Sequence, residues 1–298
     1  MFNNVIVGVD GREGGRDALA LAKVLRRQHG EITLAHVHPG DSFTWRGSTP
    51  AYELVEEADS RALLEREESE AGVTVHTRMH AASSVGRGLH ELAEEIGADL
   101  IVVGSSHSGL LGRVLLHDHT REALGGAPCA VATAPAGYSR QATVPREVGV
   151  GYDGSRESEH AVGVARRLAD ELGATLSGLQ AVFLPAYMTA GASFPDQESI
   201  DAMLEGARER VEALGDIEAR AAFGLPVEEL AVFSGSLDLL VIGSRSYGPL
   251  GRLVHGSTAR ALARSARCPL LVLPRGAGQD AESSSAVDHA ATSAPASA

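Results

Sequence analysis

The strongest constraint on the fold is that the sequence repeats itself. Residues 7–11 read Val-Gly-Val-Asp-Gly and residues 150–154 read Val-Gly-Tyr-Asp-Gly, while residues 103–105 (Val-Gly-Ser) recur as residues 242–244 (Ile-Gly-Ser). A unit of about 140 residues is too long for a solenoid repeat and has the size of a whole domain. The chain of 298 residues is therefore predicted to contain two domains of the same kind.

Within each copy, short apolar runs alternate with amphipathic stretches. The runs predict five strands per copy, at residues 4–9, 32–37, 73–79, 99–104 and 130–133 and again at 147–152, 175–182, 217–222, 237–243 and 270–273. Apolar residues at helical spacing predict helices at 16–29, 52–71, 158–172 and 197–214, with two further short helices in each copy. This alternation predicts an α/β fold of two Rossmann-like doubly wound domains, each a five-stranded parallel sheet with helices on both faces.

The boundaries follow from the same patterns. Residues 134–146 contain two prolines and no apolar period, which predicts a linker at 138–146 between domains at 1–137 and 147–275. Residues 276–298 are rich in Ala and Ser and have no periodic apolar face. Such a composition predicts a disordered tail.

Composition excludes several classes of protein. The net charge is −13 and neither half is basic, so nucleic acid is not an expected partner. No apolar run reaches about 18 residues and the N-terminus has no signal-peptide pattern, which predicts a cytoplasmic protein that does not cross a membrane. Cys129 and Cys268 are too few for a disulfide framework. Lys23 is the only lysine and no Gly-Lys-Ser/Thr sequence surrounds it, which excludes a P-loop enzyme.

Two features follow strand ends in both copies. Asp10 and Asp153 come after the first strand, and loops that begin at Gly104 and Gly243 come after the fourth. Ligands of doubly wound sheets bind at the carboxyl ends of strands, where glycine-rich loops offer backbone N–H groups to a phosphate. A carboxylate beside such a loop favours a nucleotide. Each feature also has a structural alternative, namely a tight turn for the loops and a helix N-cap for the aspartates.

The order of these motifs resembles the universal stress protein family, in a tandem form that covers essentially residues 1–275. The resemblance rests on the Asp-Gly, the Gly-Ser loop, a later Gly-Ser-Thr and a Cys-Pro before the last strand. It implies ATP binding through a Gly-x-x-Gly followed by Gly-Ser, with the Asp near the adenine and a Val of the second strand beside the base.

The second copy matches this ATP-binding pattern well. Ser246 stands where the family has its second glycine, and Gly248 follows two residues later. Any Mg²⁺ is expected to be held mainly by the phosphates, because no acidic pair with metal-binding spacing adjoins the loop. The nucleotide-binding residues that the resemblance implies are Asp153, Gly154, Val182, Gly243, Ser244, Ser246, Gly248, Gly256, Ser257 and Thr258.

The first copy departs further from the pattern. Asp10, Val37 and Gly104 remain as weaker candidates, but His107 replaces the second glycine and residues 117–118 (His-Asp) replace the Gly-Ser. A carboxylate placed where the phosphates bind repels them. The first domain is therefore predicted to bind ATP weakly or not at all.

Metal and catalytic sites are not expected. His36 and His38 lie two residues apart on a predicted strand and could share a face, as could His117 and His119, but no third ligand accompanies either pair. The sequence contains no nucleophile elbow and no ordered triad, so no catalytic residue is assigned.

Three functions remain in competition. The leading one is an ATP-binding regulatory protein of the stress response, which is not an enzyme and binds mainly through its second domain. The second is a weak ATP hydrolase or adenylyl-transfer enzyme on the same fold, for which only Arg245 and Arg252 supply cations near the loop. The third is a dimerisation module without nucleotide. The resemblance also implies an internal pseudo-dimer that pairs the strands at 130–133 and 270–273, and it leaves a homodimer open.

Overall fold

The structure, a computed structural model, describes residues 1–39, 50–105, 119–184, 195–244 and 257–274. The first half contains β1 (Phe2–Gly8), α1 (Glu13–Leu25), β2 (Arg26–Pro39), α2 (Pro50–Glu70), β3 (His76–Ala82), α3 (Val85–Ile96), β4 (Leu100–Gly104), α4 (His119–Leu124) and β5 (Ala130–Ala134). The second half contains β6 (Glu147–Gly151), α5 (Arg156–Leu172), β7 (Thr175–Val182), α6 (Gln197–Glu212), β8 (Glu218–Phe223), α7 (Pro226–Phe233), β9 (Leu239–Gly243), α8 (Ser257–Ser265) and β10 (Leu270–Leu273). The predicted tail lies outside the described residues.

All ten strands form one sheet, in the order β3-β2-β1-β4-β5-β10-β9-β6-β7-β8. Neighbouring strands within each half are parallel, as predicted. The halves join through the antiparallel pair β5–β10, in which Leu271 lies opposite Ala132. The predicted pairing of the fifth strands is therefore confirmed. Each half covers the edge that the other would expose, and exposed edges invite aggregation.

The apolar alternation of the strands builds a core on each face of the sheet. Val5 and Val7 pack into a core that also takes the buried face of α1, whereas Ile6 points into the opposite core beside Leu89 of α3. All three β1 side chains are fully buried. Because successive residues of a strand face opposite sides, a strand that is apolar throughout requires helices on both faces. No helix among the described residues is long and apolar enough to cross a membrane.

Several predicted boundaries differ from the structure by a few residues, and the end of α1 is one that has a clear physical reason. Helix α1 ends at Leu25 rather than at residue 29, because Arg26 adopts an extended conformation with ψ 140°. Residues 26–29 (Arg-Arg-Gln-His) supply no apolar side chain for the helix to bury, and Arg26 instead pairs with Phe2 at the start of β2. Residues 26–29 therefore belong to β2 and do not form a last turn of α1.

Hydrogen bonds and an ion pair attach the start of the linker to helix α1 of the first domain. Residues Tyr138–Arg140 form a 3₁₀ turn, and the carboxylate of Asp17 in α1 accepts hydrogen bonds from Gly137 N (2.8 Å), Ser139 N (2.7 Å) and Ser139 Oγ (2.6 Å). Asp17 is only 1% exposed. The Arg140 guanidinium also pairs with Glu13 at 2.5 Å. We call this set of contacts the linker clamp.

Both cysteines are structural. Cys129 and Cys268 are buried free thiols, and burial raises the pKa of each to about 12. A thiol with so high a pKa is almost entirely protonated at neutral pH and is a poor nucleophile and metal ligand.

Candidate functional site

In the first domain the strand order of the sheet changes direction between β1 and β4. A cavity of about 500 Å³ lies at the carboxyl ends of the strands at this point. Its walls are the carboxyl ends of β1, β2 and β4, the start of α1 and one face of α3. The three first-domain candidates, Asp10, Val37 and Gly104, all line it. Ligand pockets in proteins typically have volumes of about 300–1,000 Å³, and this is where doubly wound sheets bind ligands.

The Asp-Gly sequences form matching turns in the two halves. Asp10 Oδ1 accepts a hydrogen bond from Arg12 N (3.1 Å), and Asp153 Oδ1 accepts one from Ser155 N (2.9 Å). Gly11 and Gly154 follow with φ of 76° and 77°, a conformation that favours glycine. The interpretation of the aspartates as N-caps is wrong, because α1 and α5 are preceded by Arg12 and Ser155 at that position. Each aspartate instead braces a turn at the strand end.

The glycines that end β4 and β9 have a packing role. A Cβ atom on Gly104 would meet the backbone carbonyl of Gly14 in α1, and one on Gly243 would meet that of Glu157 in α5. Each glycine thus lets the start of a helix lie directly against the end of the fourth strand of its half. This close packing is sufficient to explain why both copies have a glycine here, and a phosphate-binding role is not needed.

The serines that follow these glycines are bonded through their backbones but not, within the described ranges, through their hydroxyls. Ser105 N donates to Ala134 O and Ser244 N donates to Leu273 O, so the two backbones are held alike. The Oγ atoms of Ser105 and Ser244 are buried and have no hydrogen-bond partner within the described part of the chain. Ser244 is 1% exposed. An unsatisfied buried hydroxyl costs about 1–3 kcal/mol, so a hydroxyl that persists unpaired in both copies is a candidate ligand contact.

Ser105 was not among the residues predicted from the sequence. It lines the cavity of the first domain. The signal was present, because Ser105 occupies the same place in the repeat as Ser244.

The strand register shows that Val37 and Val182 do not occupy equivalent positions in the two copies. Gly8 of β1 lies opposite Ala35 of β2, and Gly151 of β6 lies opposite Leu179 of β7. Counting two residues on from each partner, the equivalent of Val37 is Ala181. Val182 is one residue further along the strand and faces the other side of the sheet.

His36 is held by the backbone. Its Nδ1 lies 2.9 Å from the carbonyl oxygen of Val9. A carbonyl only accepts hydrogen bonds, so Nδ1 carries a proton and donates to it. No group of three or more His, Cys, Asp or Glu side chains suited to a metal ion occurs among the residues described.

The remaining predicted residues belong to the loop of the second half. Ser257 and Thr258 are the first residues of α8. Several positions lie outside the described residues: Ser246, Gly248 and Gly256 in the second copy and His107, His117 and Asp118 in the first.

The two helix starts differ in charge. Glu13 and Asp17 of the first half correspond in the repeat to Arg156 and His160 of the second. Burial lowers the pKa of His160, and Arg167 lowers it further, so this imidazole is neutral at pH 7. Arg156 thus replaces a carboxylate of the first half, but Glu157 and Glu159 lie in the same first turn of α5, so the helix start of the second half is not cationic as a whole.

The comparison with protein families decides the identification. The model of the universal stress protein family matches residues 1–135 and again residues 145–274. This chain belongs to the universal stress protein family. The universal stress protein Rv2005c of Mycobacterium tuberculosis is 27% identical over 291 residues, which cover 91% of this chain and 96% of the relative. A universal stress protein of Thermus aquaticus is 32% identical over 136 residues, 41% of this chain and 93% of its own length.

Solved structures of this family share the arrangement of both domains. The crystal structure of a universal stress protein from Archaeoglobus fulgidus superposes with a TM-score of 0.64 at 18% identity, covering 92% of this chain and 99% of that one. At this identity the likeness concerns the fold alone. The α/β architecture of the tandem protein is thus one already seen in the universal stress protein family.

Proposed function

We propose that this tandem universal stress protein is a cytoplasmic regulator that binds an adenine nucleotide, ATP, mainly in its second domain. The observation that carries the proposal is the buried hydroxyl of Ser244 at the carboxyl end of β9, which has no hydrogen-bond partner among the residues that the structure describes. A buried hydroxyl at the ligand-binding edge of the sheet gains its missing hydrogen bond when an oxygen or N–H group of a ligand binds beside it.

The second domain has further groups that fit ATP. The exposed carboxylate of Asp153 is suited to accept from an amino or hydroxyl group, and Arg156 in the first turn of α5 supplies a positive charge. Ser257 and Thr258 begin α8, and N–H groups at a helix start bind anions. The phosphates themselves would supply most of the ligands for Mg²⁺.

The proposal predicts that Ser244→Ala weakens ATP binding without destabilising the protein. Removing an unpaired buried hydroxyl relieves a desolvation cost, so the free energy of unfolding without nucleotide should stay constant or rise. Loss of one hydrogen bond to ATP should raise the dissociation constant about tenfold. Calorimetric titration and urea unfolding measure the two quantities.

Ser234→Ala is the matched control. Ser234 is a buried serine of the same domain, but its Oγ donates to Ala231 O (2.7 Å) and accepts from Arg267 N (2.9 Å). This variant should lose about 1–2 kcal/mol of stability and keep its ATP affinity. If Ser244→Ala behaves like Ser234→Ala, the Ser244 hydroxyl is structural and the alternative of a dimerisation module without nucleotide gains support.

We also propose that the protein binds ATP without rapid turnover. Phosphoryl transfer gains its rate from positioned cations and a held nucleophile, whereas the second half offers mainly hydroxyl and backbone groups and no lysine. Hydrolysis by the purified protein should be far below the median enzyme turnover of about 10 per second. Phosphate release near that rate, lost in Ser244→Ala, would favour the hydrolase instead.

A further inference from the structure

The start of the linker forms one side of the first-domain cavity. Ala136 lines this cavity, and so do Glu13 and Asp17 of α1, the two carboxylates of the linker clamp. Glu13 and Asp17 lie one helical turn apart, so the polar contacts that hold residues 137–140 converge on a single turn of α1. We call residues 136–140 the linker strap.

The strap lies next to the buried serine of the cavity. Ser105 N donates a hydrogen bond to Ala134 O (2.8 Å), two residues before the strap begins. Ser105 Oγ is buried and has no hydrogen-bond partner within the described ranges. The serine hydroxyl and the strap thus lie at neighbouring positions in the wall of the cavity.

The linker clamp is not a requirement of the fold. In the second copy, Arg156 and His160 stand at the positions of the two clamp carboxylates. A guanidinium donates hydrogen bonds and cannot accept them from backbone N–H groups, and a neutral imidazole accepts only one. Helix α5 still packs on β6 and β9 as α1 packs on β1 and β4. The first half therefore has holding groups that the packing of its helices does not need.

The far end of the linker has a separate anchor in the second domain. The carboxylate of Asp238 accepts hydrogen bonds from Arg146 N (2.7 Å) and Glu147 N (3.1 Å). Residues 141–144 lie between the two anchors and are exposed. An exposed stretch between two fixed points can absorb a movement of its neighbour by rotation about its own backbone. The strap can therefore leave α1 while the end of the linker stays attached.

Tyr138 connects the strap to the second domain. Its side chain is half-buried and packs against the core that residues of both domains share. Burial raises the pKa of Tyr138 to about 12, and the negative charges of Asp238 and Cys268 in the second domain add to this effect. Tyr138 stands between the two residues that Asp17 binds, so release of the clamp frees this side chain as well.

We propose that the linker strap is a movable wall of the first-domain cavity, which opens and closes as one unit when the linker clamp releases and re-forms. The carboxylates that hold the strap also line the cavity. A ligand group that donates a hydrogen bond to either carboxylate therefore competes with the strap for it. Binding in the first domain is thereby coupled to the contact of Tyr138 with the second domain. This regulation does not depend on ATP binding in the second domain.

The test measures how fast a thiol in the wall of the cavity becomes accessible. Ser105→Cys in the full chain places a thiol there with little change in size, and dithionitrobenzoic acid reacts with thiols that reach solvent. The native Cys129 and Cys268 are buried and have pKa values of about 12, so they contribute a slow background. The introduced thiol should react at least about tenfold more slowly than an exposed thiol, because the reagent reaches it only when the strap is open.

A second substitution weakens the strap. Ser139→Ala removes its shortest hydrogen bond to Asp17 and keeps the backbone N–H in place. Loss of one hydrogen bond to a charged acceptor should raise the reaction rate of the introduced thiol about tenfold. Amide hydrogen exchange at Gly137 and at residue 139 should accelerate together, because one opening event releases both N–H groups. Ser69→Ala is the matched control: this hydroxyl donates to Arg66 O (2.8 Å) within α2, and its loss should leave the rate unchanged.

Three results would overturn the inference. An introduced thiol that reacts as fast as an exposed one would mean that the cavity is open whatever the strap does. A rate that Ser139→Ala leaves unchanged would mean that the strap does not control access. Equal acceleration of the native Cys129 by Ser139→Ala would mean that the whole domain opens rather than the strap. No nucleotide is present in these measurements, so their outcome is independent of the proposed ATP binding.

Discussion

Asp17→Ala is expected to destabilise the first domain by about 3–5 kcal/mol, because it removes the buried carboxylate that accepts three hydrogen bonds of the linker clamp. The substitution removes an acceptor that is 1% exposed and leaves Gly137 N, Ser139 N and Ser139 Oγ without the carboxylate that they contact. Hydrogen bonds to a charged acceptor contribute more than neutral ones, about 1.5–3 kcal/mol each, and these are not independent. Urea unfolding followed by circular dichroism measures the change.

Asp201→Ala provides the comparison for this variant. Asp201 is an exposed aspartate of α6 whose carboxylate accepts a hydrogen bond from Gln197 of the same helix. Replacing it should change the free energy of unfolding by no more than about 0.5 kcal/mol. Equal effects of the two substitutions would mean that the linker clamp contributes nothing. The contact would then be incidental to the position of the linker.

The second large effect is expected from Gly243→Ala. The added Cβ would contact the carbonyl of Glu157, whose carbon lies 2.6 Å from the Cβ position, so the start of α5 would have to move. Overpacking of this kind costs about 1–3 kcal/mol, and here the obstructing atoms are backbone and cannot rotate away. The free energy of unfolding should fall by an amount near the upper end of that range.

Gly163→Ala is the matched substitution in the same domain. Gly163 lies within α5, and the nearest atom to an added Cβ is Arg167 Nη1 at 3.9 Å. Alanine is more favourable than glycine in a helix by about 1 kcal/mol, so this variant should gain stability. Opposite signs for the two glycines support the packing role of Gly243. Full stability of Gly243→Ala together with lost ATP binding would instead assign the glycine to the phosphates.

The repeat and the apolar periodicity predicted most of the fold. Residues 175–182 form β7 with the predicted bounds, and residues 176–179 are buried in succession, as in a strand covered on both faces. The pairing of β5 with β10 followed from the family resemblance. Local patterns are sufficient where burial follows the period of the element.

The site was less predictable, since its features depend on contacts between distant residues. The role of Gly243 depends on a carbonyl in α5, and the end of α1 depends on pairing with Phe2. The comparison of Val37 with Val182 ignored a one-residue difference in register that only the sheet reveals. The linker clamp joins residues about 120 positions apart, beyond the range of any local pattern.

The number of ATP molecules bound per chain tests the central claim most directly. Titration of the purified protein with ATP and Mg²⁺ in a calorimeter should give one site with a micromolar dissociation constant, and Gly256→Asp, which adds a negative charge to the loop of the second copy, should abolish it. Two equivalent sites would contradict the division of roles between the domains. No binding at millimolar ATP would contradict the nucleotide-binding function itself.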